Sequence, residues 1–224
     1  MSQVENRAGN ADAAENAARQ IADIDGADPR GPLALAEART ARGDHRGAVA
    51  TLEPLLAALR SAPETGIYAR VAVELSAALD ASGDRDKGIR VLEDARTRDE
   101  RNVEVRAALA AAYQRDNRHD SAERIYKDLL TTDPNNPAYL AGLGWAFVRQ
   151  GQAGLGREPL EKAVAARPSD SVMLDHLADA LFDLKQYREA VTMWDRALAG
   201  DRAGIDADAV TKKRDRARQL AGRR

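Results

Sequence analysis

Residues 137–170, PAYLAGLGWAFVRQGQAGLGREPLEKAVAARPSD, contain two apolar helical patterns on either side of the turn Gln150-Gly151-Gln152. The preceding residues 132–136, Thr-Asp-Pro-Asn-Asn, combine a proline with Asp and Asn side chains. Proline favours the start of a helix, and Asp and Asn favour helix caps and turns. The stretch therefore predicts two helices joined by a tight turn, which is a helix hairpin of 34 residues.

The same pattern recurs at a fixed step of 34 residues along the chain. Steps from Gly151 reach Gly83, Asn117 and Lys185, each between two helical patterns. Five residues after each turn position the residue is always small: Gly88, Ala122, Gly156, Ala190. Eight residues before each turn position the residue is leucine: Leu75, Leu109, Leu143, Leu177. Twelve residues after each turn position the residue is alanine or leucine: Ala95, Leu129, Ala163, Ala197. A small residue in every copy indicates that two helices approach closely there.

These positions resemble the tetratricopeptide repeat (TPR) family, whose 34-residue pattern runs Leu-Gly, Tyr, Ala, an aromatic residue and Pro. The third and fourth copies supply Leu109, Ala110, Tyr113, Ala122, Tyr126, Pro134 and Leu143, Gly144, Phe147, Gly156, Leu160, Pro168. The last two copies also resemble the C-terminal repeats of multi-repeat bacterial TPR proteins. The resemblance implies an all-α, right-handed α-solenoid of antiparallel helix hairpins.

We expect one solenoid domain over residues 11–221, after a flexible N-terminus at 1–10. Its predicted parts are a half repeat around Ala17, Ile21 and Ile24, five repeats, and a C-terminal capping helix at 206–221. The repeats span 31–62, 69–102, 103–136, 137–170 and 171–202. Between the first two, about six extra residues, Ser61 to Gly66, predict a longer second helix or a longer loop.

Composition agrees with an all-helical chain and excludes several classes of site. Alanine accounts for 46 of 224 residues, aromatic residues for 4%, and the net charge is -2. No cysteine is present, which excludes disulfides, thiolate nucleophiles and Cys-based zinc sites. The sequence has neither a signal-peptide pattern nor an apolar run long enough for a membrane span. We therefore expect a soluble chain, cytoplasmic from the missing signal or periplasmic if it is a fragment of an exported protein.

The resemblance implies that the first helix of each hairpin lines a concave, partner-binding face. On this basis the candidate contact residues are Ala138, Ala141, Trp145, Val148 and Arg149 from the fourth repeat; Asp175, His176, Asp179, Phe182 and Asp183 from the fifth; and Arg115 from the third. The fourth repeat suits an apolar anchor of a partner peptide, and the fifth suits a basic one. Two alternatives stay open: Trp145 packs between repeats, and the acidic stripe is a plain solvated face.

No catalytic, metal or cofactor site is predicted. The sequence has three histidines, and His45 and His119 occupy the same repeat position, which favours packing. Asp175 and His176 are adjacent on a helix and point about 100° apart, which disfavours a shared metal. The glycine-rich turns follow helices rather than strands and lack a Gly-Lys-Ser/Thr sequence. The chain is therefore predicted not to be an enzyme.

The charge is uneven at the C-terminal end. Residues 202–224 contain eight Lys or Arg and three Asp, including Lys212, Lys213, Arg214, Arg216 and Arg218. A basic helix can contact nucleic acid or anionic lipid, but no aromatic residue is interleaved with these charges, so a capping helix is favoured over nucleic-acid binding.

Two functional hypotheses follow. The first is a non-enzymatic scaffold or adaptor that binds a peptide or helix of a partner protein in the concave groove. The alternative is a structural segment that self-associates or stacks with further TPR repeats.

Overall fold

A computed structural model describes residues 13, 15, 16, 18, 20, 28–61, 65–202 and 204–222. The predicted flexible segment 1–10, and Ala17, Ile21 and Ile24 of the predicted half repeat, lie outside these residues. The described residues are helical and contain no β-strand, which confirms the all-α class. The helices are α1 (Arg30–Ala41), α2 (His45–Ala58), α3 (Thr65–Ser82), α4 (Arg85–Arg98), α5 (Val103–Arg115), α6 (His119–Thr132), α7 (Pro137–Arg149), α8 (Ala153–Ala166), α9 (Ser171–Asp183), α10 (Tyr187–Ala199) and α11 (Ala207–Ala221).

Each predicted repeat contains two of these helices, and α11 coincides with the predicted capping helix. After α2, a short 3-10 helix spans Leu59–Ser61 and α3 begins at Thr65, while residues 62–64 of the predicted insertion lie outside the described residues. The second helix of the first repeat has 14 residues, as many as α4, α6 and α8, so the predicted longer second helix is wrong. The first helix of the second repeat is the long one, with 18 residues from Thr65.

The turn inside each hairpin has a left-handed backbone at one residue. These residues are Gly43 (φ 80°), Gly83 (φ 97°), Asn117 (φ 58°), Gly151 (φ 76°) and Lys185 (φ 62°). They are the turn positions that the 34-residue step connects, together with the matching position of the first repeat. Glycine and asparagine adopt this conformation at low cost, whereas Lys185 adopts it against its intrinsic preference.

The small-residue positions lie where the two helices of a hairpin cross. Ala122 and Ala190 are fully buried, and an added Cβ on Gly156 would lie 2.5 Å from the carbonyl oxygen of Gly144. A Cβ on Gly144 would in turn lie 2.8 Å from the carbonyl oxygen of Gly156. The backbones of α7 and α8 are therefore in contact, and the predicted close approach is confirmed.

The chain divides into two compact units, one up to Ala112 and one from Tyr113. In the first unit, Tyr68 is buried and donates a hydrogen bond of 2.7 Å to Asp94, while the Arg98 guanidinium lies 4.0 Å from the centre of its ring. A single domain over residues 11–221 stays a prediction.

The second unit contains a core that runs from α7 to α11. Its largest buried side chain is Trp194, accompanied by leucines of α7, α8 and α9 and by Val210 and Ala217 of α11. The Asp206 side chain caps α11 by accepting hydrogen bonds from the backbone N–H groups of Asp208 and Ala209. The C-terminal helix is thus part of the core and contributes two buried apolar side chains to it.

Candidate functional site

The first helices of the fourth and fifth repeats form one side of an open groove in the second unit. We call it the first-helix groove; its volume is about 440 Å³ and its lining is mainly apolar. The lining residues are Gln114, Tyr126, Ala138, Ala141, Gly142, Asp170, Val172, Met173, His176, Asp201 and Gly204. They come from α5, α6, α7 and α9, and from the segments that flank α9 and follow α10.

Gln114 and Tyr126 form one wall through a chain of hydrogen bonds. The Tyr126 hydroxyl donates to Gln114 Oε1 at 3.2 Å, and Gln114 Nε2 donates to the carbonyl oxygen of Gly142 at 2.6 Å. The Tyr126 ring lies against Gly142, where an added Cβ would be 2.3 Å from its Cζ. Burial raises the pKa of the Tyr126 phenol to about 12, so it stays a neutral donor.

Trp145 and His176 form a stacked pair between α7 and α9. Their ring centres are 4.0 Å apart and the ring planes differ by 5°. The Arg149 guanidinium lies 5.5 Å from the centre of the Trp145 ring, within the range of a cation–π contact. Trp145 is half-buried and packs against His176 of the next repeat, and it is not among the groove-lining residues.

His176 presents a polar atom that the described residues leave unsatisfied. Its Nδ1 is buried and has no hydrogen-bond partner in the described part of the chain. Burial lowers the pKa of the imidazole to about 4, and Lys213 acts in the same direction. The ring is therefore neutral at pH 7.

The acidic pair of the fifth repeat binds a lysine of the C-terminal helix. Lys213 Nζ lies 2.5 Å from Asp175 Oδ1 and 2.9 Å from Asp179 Oδ2. Trp194 Nε1 also donates to Asp175 Oδ1, at 2.7 Å. Burial, with Asp175 nearby, raises the pKa of Asp179 to about 6. Asp175 and Asp179 thus hold α11 in place, and both already have a cationic partner.

The predicted contact residues fall into distinct surroundings. Ala138, Ala141 and His176 line the first-helix groove. Val148 is 6% exposed and packs in the core, which removes it from the candidate surface. Phe182 packs against Tyr187 and Trp194 with ring centres 5.3 and 5.8 Å apart. Phe182 and six further predicted contacts are not among the groove-lining residues; the six are Arg115, Trp145, Arg149, Asp175, Asp179 and Asp183.

The groove residues that were not predicted as contacts include Tyr126, Asp170, Met173, Asp201 and Gly204. Asp170 precedes α9 as its cap, and Asp201 and Gly204 follow α10. Their helix-cap and loop positions were visible in the sequence. Their approach to the groove arises because the segment after α10 returns to the start of α9.

Most of the basic side chains of α11 that were considered for nucleic-acid or lipid contact are paired. Arg214 and Arg218 contact Asp195 at 3.3 and 2.9 Å, and Lys213 contacts Asp175 and Asp179. The Arg216 guanidinium lies 5.6 Å from the centre of the Phe182 ring. The basic charge of the helix therefore serves contacts within the second unit.

His176 and Asp179 make opposite contributions to the pH dependence of the free energy of unfolding. The folded pKa of His176, about 4, is below its ordinary value, so its contribution is lost as pH falls from 6.5 towards 4. The folded pKa of Asp179, about 6, is above its ordinary value, so protonation stabilises the fold over the same range. The two effects partly cancel in the native chain.

His176→Phe should therefore stabilise the chain relative to the native sequence by about 2 kcal/mol more at pH 5 than at pH 7, because it keeps a ring and removes the titrating nitrogens. Asp179→Asn should destabilise the chain relative to the native sequence by about 1 kcal/mol more at pH 5 than at pH 7. Urea unfolding at both pH values measures the two differences. Differences that do not change with pH would contradict the assignment of both groups.

Neither a metal centre nor a membrane span is found in the described part of the chain. No group of three or more His, Asp or Glu side chains there is placed to hold a metal ion. None of the helices in the described ranges is both long and apolar enough to cross a membrane.

Comparison with protein-family models identified one match. The model described as tetratricopeptide repeat matches residues 79–146, which cover the end of α3 through most of α7. No curated protein sequence matches the chain.

Solved structures with the same fold are numerous. BtubC from P. vanneervenii superposes with a TM-score of 0.68 at 20% identity, covering 88% of this chain and 90% of that one. TTC0263, a thermophilic TPR protein of Thermus thermophilus, gives a TM-score of 0.65 at 16% identity, covering 87% and 99%. MamA of AMB-1 gives 0.58 at 22% identity, covering 72% and 92%. At these identities the likeness establishes the fold.

Proposed function

Because the chain is a tetratricopeptide repeat protein, we propose that it is a non-enzymatic scaffold that binds a segment of a partner protein in the first-helix groove. The observation that carries this proposal is the groove itself, an open and mainly apolar depression on the first-helix face. Repeat proteins of this kind bind partners on extended concave surfaces. An apolar side chain of a partner would fill the space beside Ala138 and Ala141.

The test uses a residue that blocks the groove without disturbing the core. Ala138 lines the groove and lies outside the buried core, so Ala138→Trp fills the groove from its rim. Ala166 is exposed, at the end of the second helix of the same hairpin, and Ala166→Trp is the matched control. Circular dichroism should show the same helicity for both variants.

The native chain and both variants are then used to capture proteins from a lysate of the source cell, with identification by mass spectrometry. A partner captured by the native chain and Ala166→Trp, and reduced at least tenfold with Ala138→Trp, supports the proposal. Equal capture by all three chains would place binding elsewhere and refute it.

A further inference from the structure

The groove has an acidic rim. Asp170 and Asp201 are among its lining residues, and no Lys or Arg of the described chain is. His176 adds no positive charge at pH 7 because its pKa is about 4. The electrostatic field inside the groove therefore favours a cationic guest.

Hydrogen bonds hold the rim in a defined position. Ser171, which is fully buried, donates through Oγ to the carbonyl oxygen of Ala197 at 2.8 Å and accepts from the backbone N–H of Arg202 at 2.9 Å. The Ser171 N–H donates to Asp201 Oδ1 at 3.4 Å, and Asp170 Oδ1 accepts from the N–H of Met173 at 3.0 Å. The segment after α10 is thus tied to the start of α9, with both carboxylates at the junction.

Below the rim, the groove accepts an apolar group. Ala138, Ala141 and Val172 supply aliphatic surface, and the small alanines leave room for a side chain from outside. The lining thus combines an apolar pocket with an acidic edge.

Helix α9 already binds one cation, the ammonium group of Lys213. Farther along α9, Lys213 lies between the carboxylates of Asp175 and Asp179, with its ammonium group 5.5 Å from the centre of the Trp194 ring. An aliphatic stem on an apolar surface with its charge between two carboxylates is a favourable arrangement for lysine. The groove offers similar chemistry to a chain from outside.

We propose that the occupant of the first-helix groove is a partner segment with an apolar side chain next to a lysine or arginine, the apolar group lying against Ala141 and Val172 and the cation at Asp170 and Asp201. This assignment rests on the proposed function and adds to it the chemistry of the partner.

Two capped tetrapeptides, acetyl-Ser-Leu-Lys-Ser-amide and acetyl-Ser-Leu-Glu-Ser-amide, test the assignment. Each is titrated into the isotope-labelled full chain, and the backbone amide resonances of Ala138, Gly142, Val172 and Gly204 are followed by NMR. The lysine peptide should bind at least fivefold more tightly than the glutamate peptide. The preference should shrink in 0.5 M salt, which screens exposed charges.

Two variants and a matched control test whether the cation of the peptide binds at Asp170 and Asp201. Asp170→Asn keeps a good helix cap and removes the charge, and Asp201→Asn removes the second one. Each variant should bind the lysine peptide at least threefold more weakly than the native chain does. Each should bind the glutamate peptide at least as tightly as the native chain does. Asp183→Asn, at the far end of α9 from the groove, should leave both unchanged.

The possible results separate the two proposals. If both peptides perturb the groove resonances equally and neither rim variant alters this, the basic partner is refuted and the groove as a binding site stands. If neither peptide perturbs them at concentrations up to 20 mM, the groove does not bind an apolar side chain and both proposals fall.

Discussion

Gly156→Ala is expected to lower the free energy of unfolding by about 2 to 3 kcal/mol, although alanine is the better helix former. The new Cβ would lie 2.5 Å from the carbonyl oxygen of Gly144 and 2.9 Å from Val148 Cγ2. The first of these atoms belongs to the backbone and cannot move aside alone. The two helices of the fourth repeat would have to separate, which opens the contacts of Leu160 and its neighbours.

The same helix supplies the control. Gly154 lies two residues earlier, and a Cβ there would have no atom within 4 Å. Gly154→Ala should therefore stabilise the chain by about 0.5 kcal/mol, because only the backbone entropy of glycine is removed. Urea unfolding followed by circular dichroism measures both variants. Equal effects of the two substitutions would show that the helices are not in backbone contact at Gly156.

This contact was predictable because it repeats. One small residue is required at every hairpin crossing, so Gly88, Ala122 and Ala190 occupy the equivalent positions and identify the constraint. The turn residues were predictable for the same reason, since each hairpin reverses the chain at the same point. Features that recur in each repeat leave a periodic trace in the sequence.

The pairing of Lys213 with Asp175 and Asp179 occurs once and leaves no such trace. The lysine is 38 and 34 residues from its partners, and the sequence assigned the carboxylates to a ligand and the lysine to an outer surface. Their contact follows from the direction in which α11 packs on α10, which brings Lys213 within reach of the carboxylates of α9. Val148 was assigned to the groove for a related reason, because the exact rotation of α7 decides which of its apolar residues enter the core.

Trp194→Ala is expected to lower the free energy of unfolding by about 4 kcal/mol, within the range for removing a buried aromatic side chain. Trp194 is 1% exposed and packs against Phe182, with ring centres 5.8 Å apart. It also donates a hydrogen bond to Asp175, the residue that binds Lys213. The substitution thus removes core volume and one of the contacts that position the carboxylate for α11.

The consequence should be concentrated in the C-terminal helix. We expect the amide hydrogens of α11, residues 207–221, to lose most of their protection against exchange in Trp194→Ala, while those of α8 keep more of it, because neighbouring units of a repeat protein unfold partly independently. Trp194→Phe retains most of the ring and removes only the N–H donor. It should cost about 1 to 2 kcal/mol and leave α11 more protected than the alanine variant does.

Hydrogen exchange measured by mass spectrometry distinguishes this expectation from a uniform loss of stability. If α8 and α11 lose protection to the same extent in Trp194→Ala, the second unit unfolds as a whole and Trp194 is a general core residue. If only α11 loses protection, the contacts among Trp194, Asp175 and Lys213 are what hold α11 against the core. In that case Lys213→Met, which keeps the stem and removes the charge, should release α11 as well and leave the core around Leu160 intact.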